Sequence, residues 1–111
     1  MFKLIFLLTR KQGTSSEQFY DYYETTHREF IMQMPNVENY VRRYLKPLPG
    51  MAEDGAPFDA ITELWFKDEA AYRGAMKFAL SPEFQRAVAE DEEQFLDRSK
   101  TRALTVDERS W

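Results

Sequence analysis

The sequence predicts an α+β fold in which a four-stranded antiparallel sheet carries helices on one face. Three observations point there: four segments with strand-like patterning, two stretches of helical spacing opened by recognisable caps, and their order, β-α-β-β-α-β, in 111 residues with no break in composition. One domain spanning 1–111 is expected.

The elements follow in turn. Phe2 to Thr9 is apolar almost throughout, too short for a core helix and bounded by Arg10-Lys11-Gln12-Gly13, which predicts a strand buried on both faces. Ser15 and Gln18 form a capping box that opens a helix running to about Met34, before Pro35. Val37 to Lys46 alternates Tyr40, Arg42 and Tyr44 with Val41, Arg43 and Leu45, the period of a second strand. Three prolines and two glycines make Pro47 to Pro57 a loop. Phe58 to Phe66 reads as strand three, with Ala60, Thr62, Leu64 and Phe66 on one side and Asp59, Ile61, Glu63 and Trp65 on the other.

Asp68 caps the next helix, with Tyr72, Ala75, Met76 and Ala79 inward. Ser81-Pro82 opens another, because Ser is a favoured cap and Pro a favoured first residue, and Phe84, Ala87, Val88 and Phe95 mark its buried face. The acidic run Glu90 to Glu93 on that helix reads as a solvated face. Thr101 to Val106 forms strand four, followed by a polar tail. The whole matches the ferredoxin-like plan. Strands one and three are apolar on both sides, so a second copy packing sheet against sheet is expected to cover the face without helices.

Composition bounds the partners. Nine Phe, six Tyr and two Trp supply more apolar surface than so small a core needs, so some is expected to meet a ligand or a partner. A net charge of −4 argues against nucleic acid, which requires a basic face. Without cysteine there are no disulfides, thiolate catalysis or sulfur-ligated metal, which fits a reducing compartment; cytoplasm is the expected location. Met1 to Leu8 resembles a short signal sequence, but Lys3 interrupts it and no small-residue cleavage site precedes Arg10-Lys11. No run approaches the roughly 20 apolar residues of a membrane span.

The chemistry centres on His27, the one histidine and the only side chain with an unperturbed pKa near neutrality. It lies one turn after Tyr23, close to a stripe drawn by Phe19, Thr26, Phe30 and Met34. Tyr23, four residues earlier, puts its phenol on the same side, where it can orient the ring or line a pocket. One histidine with carboxylates at no ligand-like spacing predicts no metal site. A single histidine does suffice for proximal haem ligation, an alternative that a Soret band would reveal.

Six pieces of sequence carry a resemblance: Lys3-Leu4-Ile5-Phe6-Leu7-Leu8, the F-x-x-Y-Y-x-x-T-H pattern from Phe19 to His27, Pro35-Asn36-Val37 leading to Tyr40-Val41, Glu63-Leu64-Trp65-Phe66, Ser81-Pro82-Glu83 and Phe95-Leu96-Asp97. In order and spacing they resemble the EthD domain family of the dimeric α+β barrel superfamily. Relatives in that superfamily include methylmuconolactone isomerases, polyketide cyclases, cofactor-free monooxygenases and EthD-type dehydratases and decarboxylases. The resemblance implies a pocket between each protomer's sheet and helices, with a helix-one histidine and a strand-two tyrosine facing it, here His27 and Tyr40. Period two then sends Arg42 and Tyr44 to the same side, and Phe6, Thr62 and Leu64 join Tyr23 as expected substrate contacts. Many EthD sequences follow the histidine with a small residue and proline; here Arg28-Glu29-Phe30 continues the helix without interruption.

The expected function is therefore a homodimeric enzyme without cofactor. Proton transfer by His27, with Tyr40 holding a carbonyl or enolate oxygen, would isomerise, cyclise, dehydrate or decarboxylate a small aromatic, lactone or polyketide-like compound. Two alternatives stand beside it: a cofactor-free monooxygenase, and a non-catalytic ligand-binding or accessory protein of an oxidative degradation pathway.

Overall fold

Alternation along the strands decides which side of the sheet meets the helices. The computed structural model describes residues 1–51 and 56–111. Its elements are β1 (Phe2–Leu8), α1 (Ser16–Tyr22), α2 (Arg28–Ile31), β2 (Val37–Tyr44), β3 (Ala60–Phe66), α3 (Glu69–Ala79), α4 (Pro82–Glu92) and β4 (Arg102–Thr105). A π-helical turn, Tyr23–His27, joins α1 to α2, and a 3-10 turn, Arg98–Lys100, precedes β4. The sheet order is β2-β3-β1-β4 with antiparallel neighbours, the ferredoxin-like arrangement. The centre of the loop expected over 47–57, residues 52–55, lies outside the described residues.

Pairing of Leu4 with Leu64, Phe6 with Thr62 and Leu8 with Ala60 puts the even-numbered residues of β1 and β3 on one face. Tyr40, Arg42 and Tyr44 of β2 pair with Leu64, Thr62 and Ala60 and share it. Of Ala60, Thr62, Leu64 and Phe66, none is more than 3% exposed, so this is the face the helices cover. Each fully buried Leu or Phe there stabilises the fold by about 1.5–3 kcal/mol. A bulge between Val37 and Asn39 shifts the register by one residue, which lets odd-numbered Val37 pair with Phe66 and pack into the core.

Local chemistry sets the helix starts. Gln18 N–H donates to Ser15 Oγ at 3.1 Å while Ser15 N–H donates to Gln18 Oε1 at 2.9 Å, completing the capping box. Asp68 accepts from Ala71 N–H, and Ser81 from Phe84 N–H with Pro82 next in line. Asn36 adopts φ +67° and its amide donates to the Ala71 carbonyl at 3.1 Å; a Cβ at Gly74 would stand 2.9 Å from that amide, so glycine lets the turn seat on α3.

The first helix departs from expectation. It ends at Ile31 instead of near Met34, and it is interrupted: Arg28 N–H donates to the carbonyl of Tyr23, five residues back. Thr26, expected on the buried stripe, is exposed, and Tyr23 and His27 are buried. In a regular α-helix each four-residue step over-rotates by about 40°. The wider π turn absorbs that drift, so Phe19, Tyr23 and His27 stay on one face.

The core comprises two clusters. Leu4, Met34, Leu64, Phe66, Ala75 and Phe84 form one; Leu8, Phe19, Tyr23, Ala60, Phe95 and Leu96 form the other. On the opposite face of the sheet, Ile5, Leu7, Val41, Ile61 and Trp65 are only partly buried. Lys3 pairs there with Glu108 of the tail at 2.8 Å and lies over the Trp65 ring at 3.9 Å, Arg43 pairs with Glu63, and Trp65 Nε1–H donates to Glu63 at 2.8 Å. Among the described residues no helix is long and apolar enough to cross a membrane.

Candidate active site

Between the two core clusters lies a cavity of about 420 Å³, bounded by the sheet on one side and α2, α3 and α4 on the other. Its walls are mostly apolar: Phe6, Leu8, Leu64, Met34, Phe84 and Val88 contribute. The polar lining is His27, Tyr23, Tyr40, Thr62, Gln85, Glu92 and Arg98. Such a volume and such a wall suit a small, largely apolar ligand held by few polar groups.

His27 is 5% exposed, and its Nδ1 lies 2.5 Å from Oδ2 of Asp91, which is 7% exposed. Tyr22 O–H donates to the other oxygen, Oδ1, at 2.9 Å. An ionised carboxylate only accepts, so it holds the imidazole proton on Nδ1 and leaves Nε2 as the basic nitrogen available to the cavity. Its two donors offset the several kcal/mol that an unpartnered buried carboxylate costs. Burial, then the hydrogen bond to Asp91 and its charge, push the Tyr22 phenol up to about 12, so Tyr22 remains a donor to Asp91. The Tyr23 ring edge and the tilted Phe95 ring, each with its centroid 4.8 Å from that of His27, brace the imidazole.

A row of hydroxyls runs along the sheet wall. Tyr40 O–H donates to the Tyr23 oxygen at 3.3 Å, and Tyr23 in turn hydrogen-bonds Thr62. Burial raises the phenol of Tyr40 far above its ordinary value and raises that of Tyr23 as well, although Thr62 and Tyr40 draw the latter back. Both are therefore neutral hydrogen-bond donors and not bases.

Of the residues expected from the sequence, His27, Tyr23, Tyr40, Phe6, Thr62 and Leu64 line the cavity together. Arg42 and Tyr44 do not. They share the inward face, but Glu24, carried on the π turn, takes them both: Arg42 donates through Nε at 2.6 Å and Nη2 at 2.9 Å, and Tyr44 O–H donates to the same carboxylate. Arg42, first through its hydrogen bonds, holds the Glu24 carboxyl below its ordinary value. The clamp ties the π turn to β2.

The acidic run is corrected in part. Glu90 and Glu93 are exposed as expected, but Asp91 is buried against His27, and Glu92 lines the cavity 3.7 Å from Arg98. Burial raises the carboxyl of Glu92, against the lowering influence of His27 and Arg98. The sequence does hold the signal: Phe84, Val88, Asp91 and Phe95 fall at steps of four, three and four, so the buried stripe passes through the carboxylate. No group of three or more His, Asp or Glu side chains among the described residues could hold a metal ion.

The family model for the EthD domain matches residues 11–99. The chain belongs to the EthD domain family. Comparison with curated proteins gives no match. Among solved structures this EthD chain is similar to an ethyl tert-butyl ether D (EthD) family protein from Bacillus halodurans, with a TM-score of 0.69 and 16% identity over 98% of this chain and 100% of that one. It is also similar to a dimeric ferredoxin-like protein of unknown function from Thermobifida fusca, with a TM-score of 0.55 and 15% identity over 96% and 90% of the two chains. A third is SnoaB, a cofactor-independent oxygenase from Streptomyces nogalater, at TM-score 0.59 and 13% identity over 99% and 94%. At these identities the likeness is one of fold, and the EthD site rests on its own geometry.

Proposed function

We propose that this EthD-family chain is a homodimeric, cofactor-free enzyme that moves a proton on a small aromatic, lactone or polyketide-like carbonyl compound, with His27 as the base. The observation that carries this reading is the buried carboxylate behind His27 in the wall of an apolar cavity.

The chemistry follows from the arrangement. A ligand seated against Phe6, Leu64 and Val88 brings an acidic C–H toward Nε2 of His27, which takes the proton. Asp91 stabilises the imidazolium that forms. Negative charge then develops on the ligand's carbonyl oxygen, and the neutral hydroxyls of Tyr40, Tyr23 and Thr62 lie in the same wall to donate to it. Exclusion of water by the surrounding apolar groups strengthens both effects. Isomerisation, cyclisation, dehydration and decarboxylation all pass through such an enolate.

The test is incorporation of solvent deuterium next to the carbonyl of 2-tetralone and of small aryl lactones, without added cofactor. Exchange well above buffer that disappears in His27→Ala is expected. Binding of these compounds with no exchange would leave a ligand-binding protein instead. The fold likeness to a cofactor-independent oxygenase favours one second reading, in which the same carbanion meets dioxygen. Oxygen uptake during turnover of an anthrone would select it.

A further inference from the structure

The reading of His27 as base leaves unused the one carboxyl group that lines the cavity, that of Glu92. Helix α4 presents Phe84, Gln85, Val88 and Glu92 to the cavity, at spacings that place them on one face. Asp91, on the adjoining face, turns away to His27 and Tyr22. The helix thus supplies two carboxyl groups with different surroundings. Asp91 accepts a hydrogen bond on each oxygen, whereas the Glu92 side chain, 18% exposed, takes no hydrogen bond from the described residues and has Arg98 as its ion-pair partner, at 3.7 Å.

We propose that Glu92 is the general acid of this site, delivering a proton to a departing hydroxyl while His27 removes one from carbon, so that the substrate class is a β-hydroxy carbonyl compound and the reaction its dehydration. This rests on the reading of His27 as base and goes beyond it. Deprotonation alone would have to expel hydroxide, a poor leaving group, so dehydration calls for an acid within reach of the oxygen.

The remaining lining residues do not supply one. The phenols of Tyr23 and Tyr40 are raised and release protons less readily than ordinary tyrosine, Thr62 and Gln85 are not acids, and the guanidinium of Arg98 does not release its proton. The groups that face Glu92 are Asp91 on its own helix, His27 on the π turn and Arg98 on the 3-10 turn. Burial and Asp91 favour its protonated form, His27 and Arg98 the ionised one, and burial is the largest influence. Its proton is therefore kept to higher pH than on an exposed glutamate.

In the step itself, Nε2 of His27 takes a proton from the carbon between the carbonyl and carbinol carbons. The C–H electrons become the new C=C bond as the C–O bond breaks, and the Glu92 proton completes a water molecule. His27 ends with one more proton and Glu92 with one fewer. Return of the proton through solvent at the partly exposed Arg98 side of the cavity restores both.

The experiment follows 4-hydroxy-4-phenylbutan-2-one with the intact protein, reading deuterium exchange next to the carbonyl and release of the enone separately. Glu92→Gln, nearly isosteric, should lower dehydration about 10²-fold more than it lowers exchange. His27→Ala should lower both together. Arg98→Leu, which removes a group that favours ionised Glu92, should move the alkaline limit of dehydration to higher pH. In wild type, ¹³C NMR should show the Glu92 carboxyl titrating above the exposed glutamates. Equal loss of both rates in Glu92→Gln, exchange without dehydration in wild type, or titration of Glu92 alongside the surface carboxyls would each overturn the assignment. Absence of exchange altogether would remove His27 as base, and the acid with it.

Discussion

Asp91 holds Nδ1 of His27 at 2.5 Å from a helix 64 residues further along the chain, which fixes the ring of the one histidine of this protein. A charge change at Asp91 is the sharpest probe of this relationship. Asparagine fits the space but can donate to Nδ1, which shifts the imidazole proton to Nε2 and blocks proton uptake there. Asp91→Asn should slow carbonyl exchange about 10²–10⁴-fold. Imidazole ¹⁵N shifts should report the tautomer reversed; unchanged shifts and rates would show that Asp91 does not orient the ring.

The hydroxyl row gives a smaller effect. Tyr40→Phe removes a neutral donor from the cavity wall and should weaken transition-state binding by about 1–3 kcal/mol, roughly a 5–150-fold loss in exchange rate. Equal rates for the two proteins would place the developing charge elsewhere in the cavity.

Arg42 acts through Glu24, so its removal should affect stability and not preference for anionic ligands. The Glu24 carboxyl lies below its ordinary value in the folded protein, so the folded state binds its proton less readily than the unfolded chain. Its contribution is present above the unfolded carboxylate range and lost as pH falls through the lower, folded value. Glu24→Gln and Arg42→Ala should each be less stable than wild type near neutrality in urea denaturation, with the gap closing in acid. A gap constant with pH would separate the clamp from the titration of Glu24.

The outer sheet face predicts a dimer. Lys3, Arg43 and Glu63 are in ion pairs there, and Ile5, Leu7, Val41, Ile61 and Trp65 form the surface another copy would meet. Light scattering should find two chains in wild type and one in Trp65→Arg, because a second copy of the face would bury the added guanidiniums opposite apolar groups. A wild-type monomer at low micromolar concentration would refute the interface.

Much of the fold was legible because it is written locally. A period of two separates Thr62 and Leu64 from Ile61 and Trp65 whatever the rest of the chain does, and the caps at Ser15, Asp68 and Ser81 need only residues within three positions. Those rules, with the family pattern around His27, were enough for the α+β order, the inward face and six of the residues that line the cavity. Helix phase is different. A π turn costs little in sequence, since Tyr23 to His27 contains nothing that forbids a regular helix; it is held here by Arg42 and Tyr44 gripping Glu24 from β2. The same long-range packing withdrew those two side chains from the cavity and gave the acidic run opposite fates, Asp91 buried behind the histidine and Glu92 in the wall. The sequence by itself determined the strands, the helix starts and the candidate base. The tertiary structure alone decided which charged groups meet, because a carboxylate's environment is set by residues far away in the chain and not by its neighbours along it.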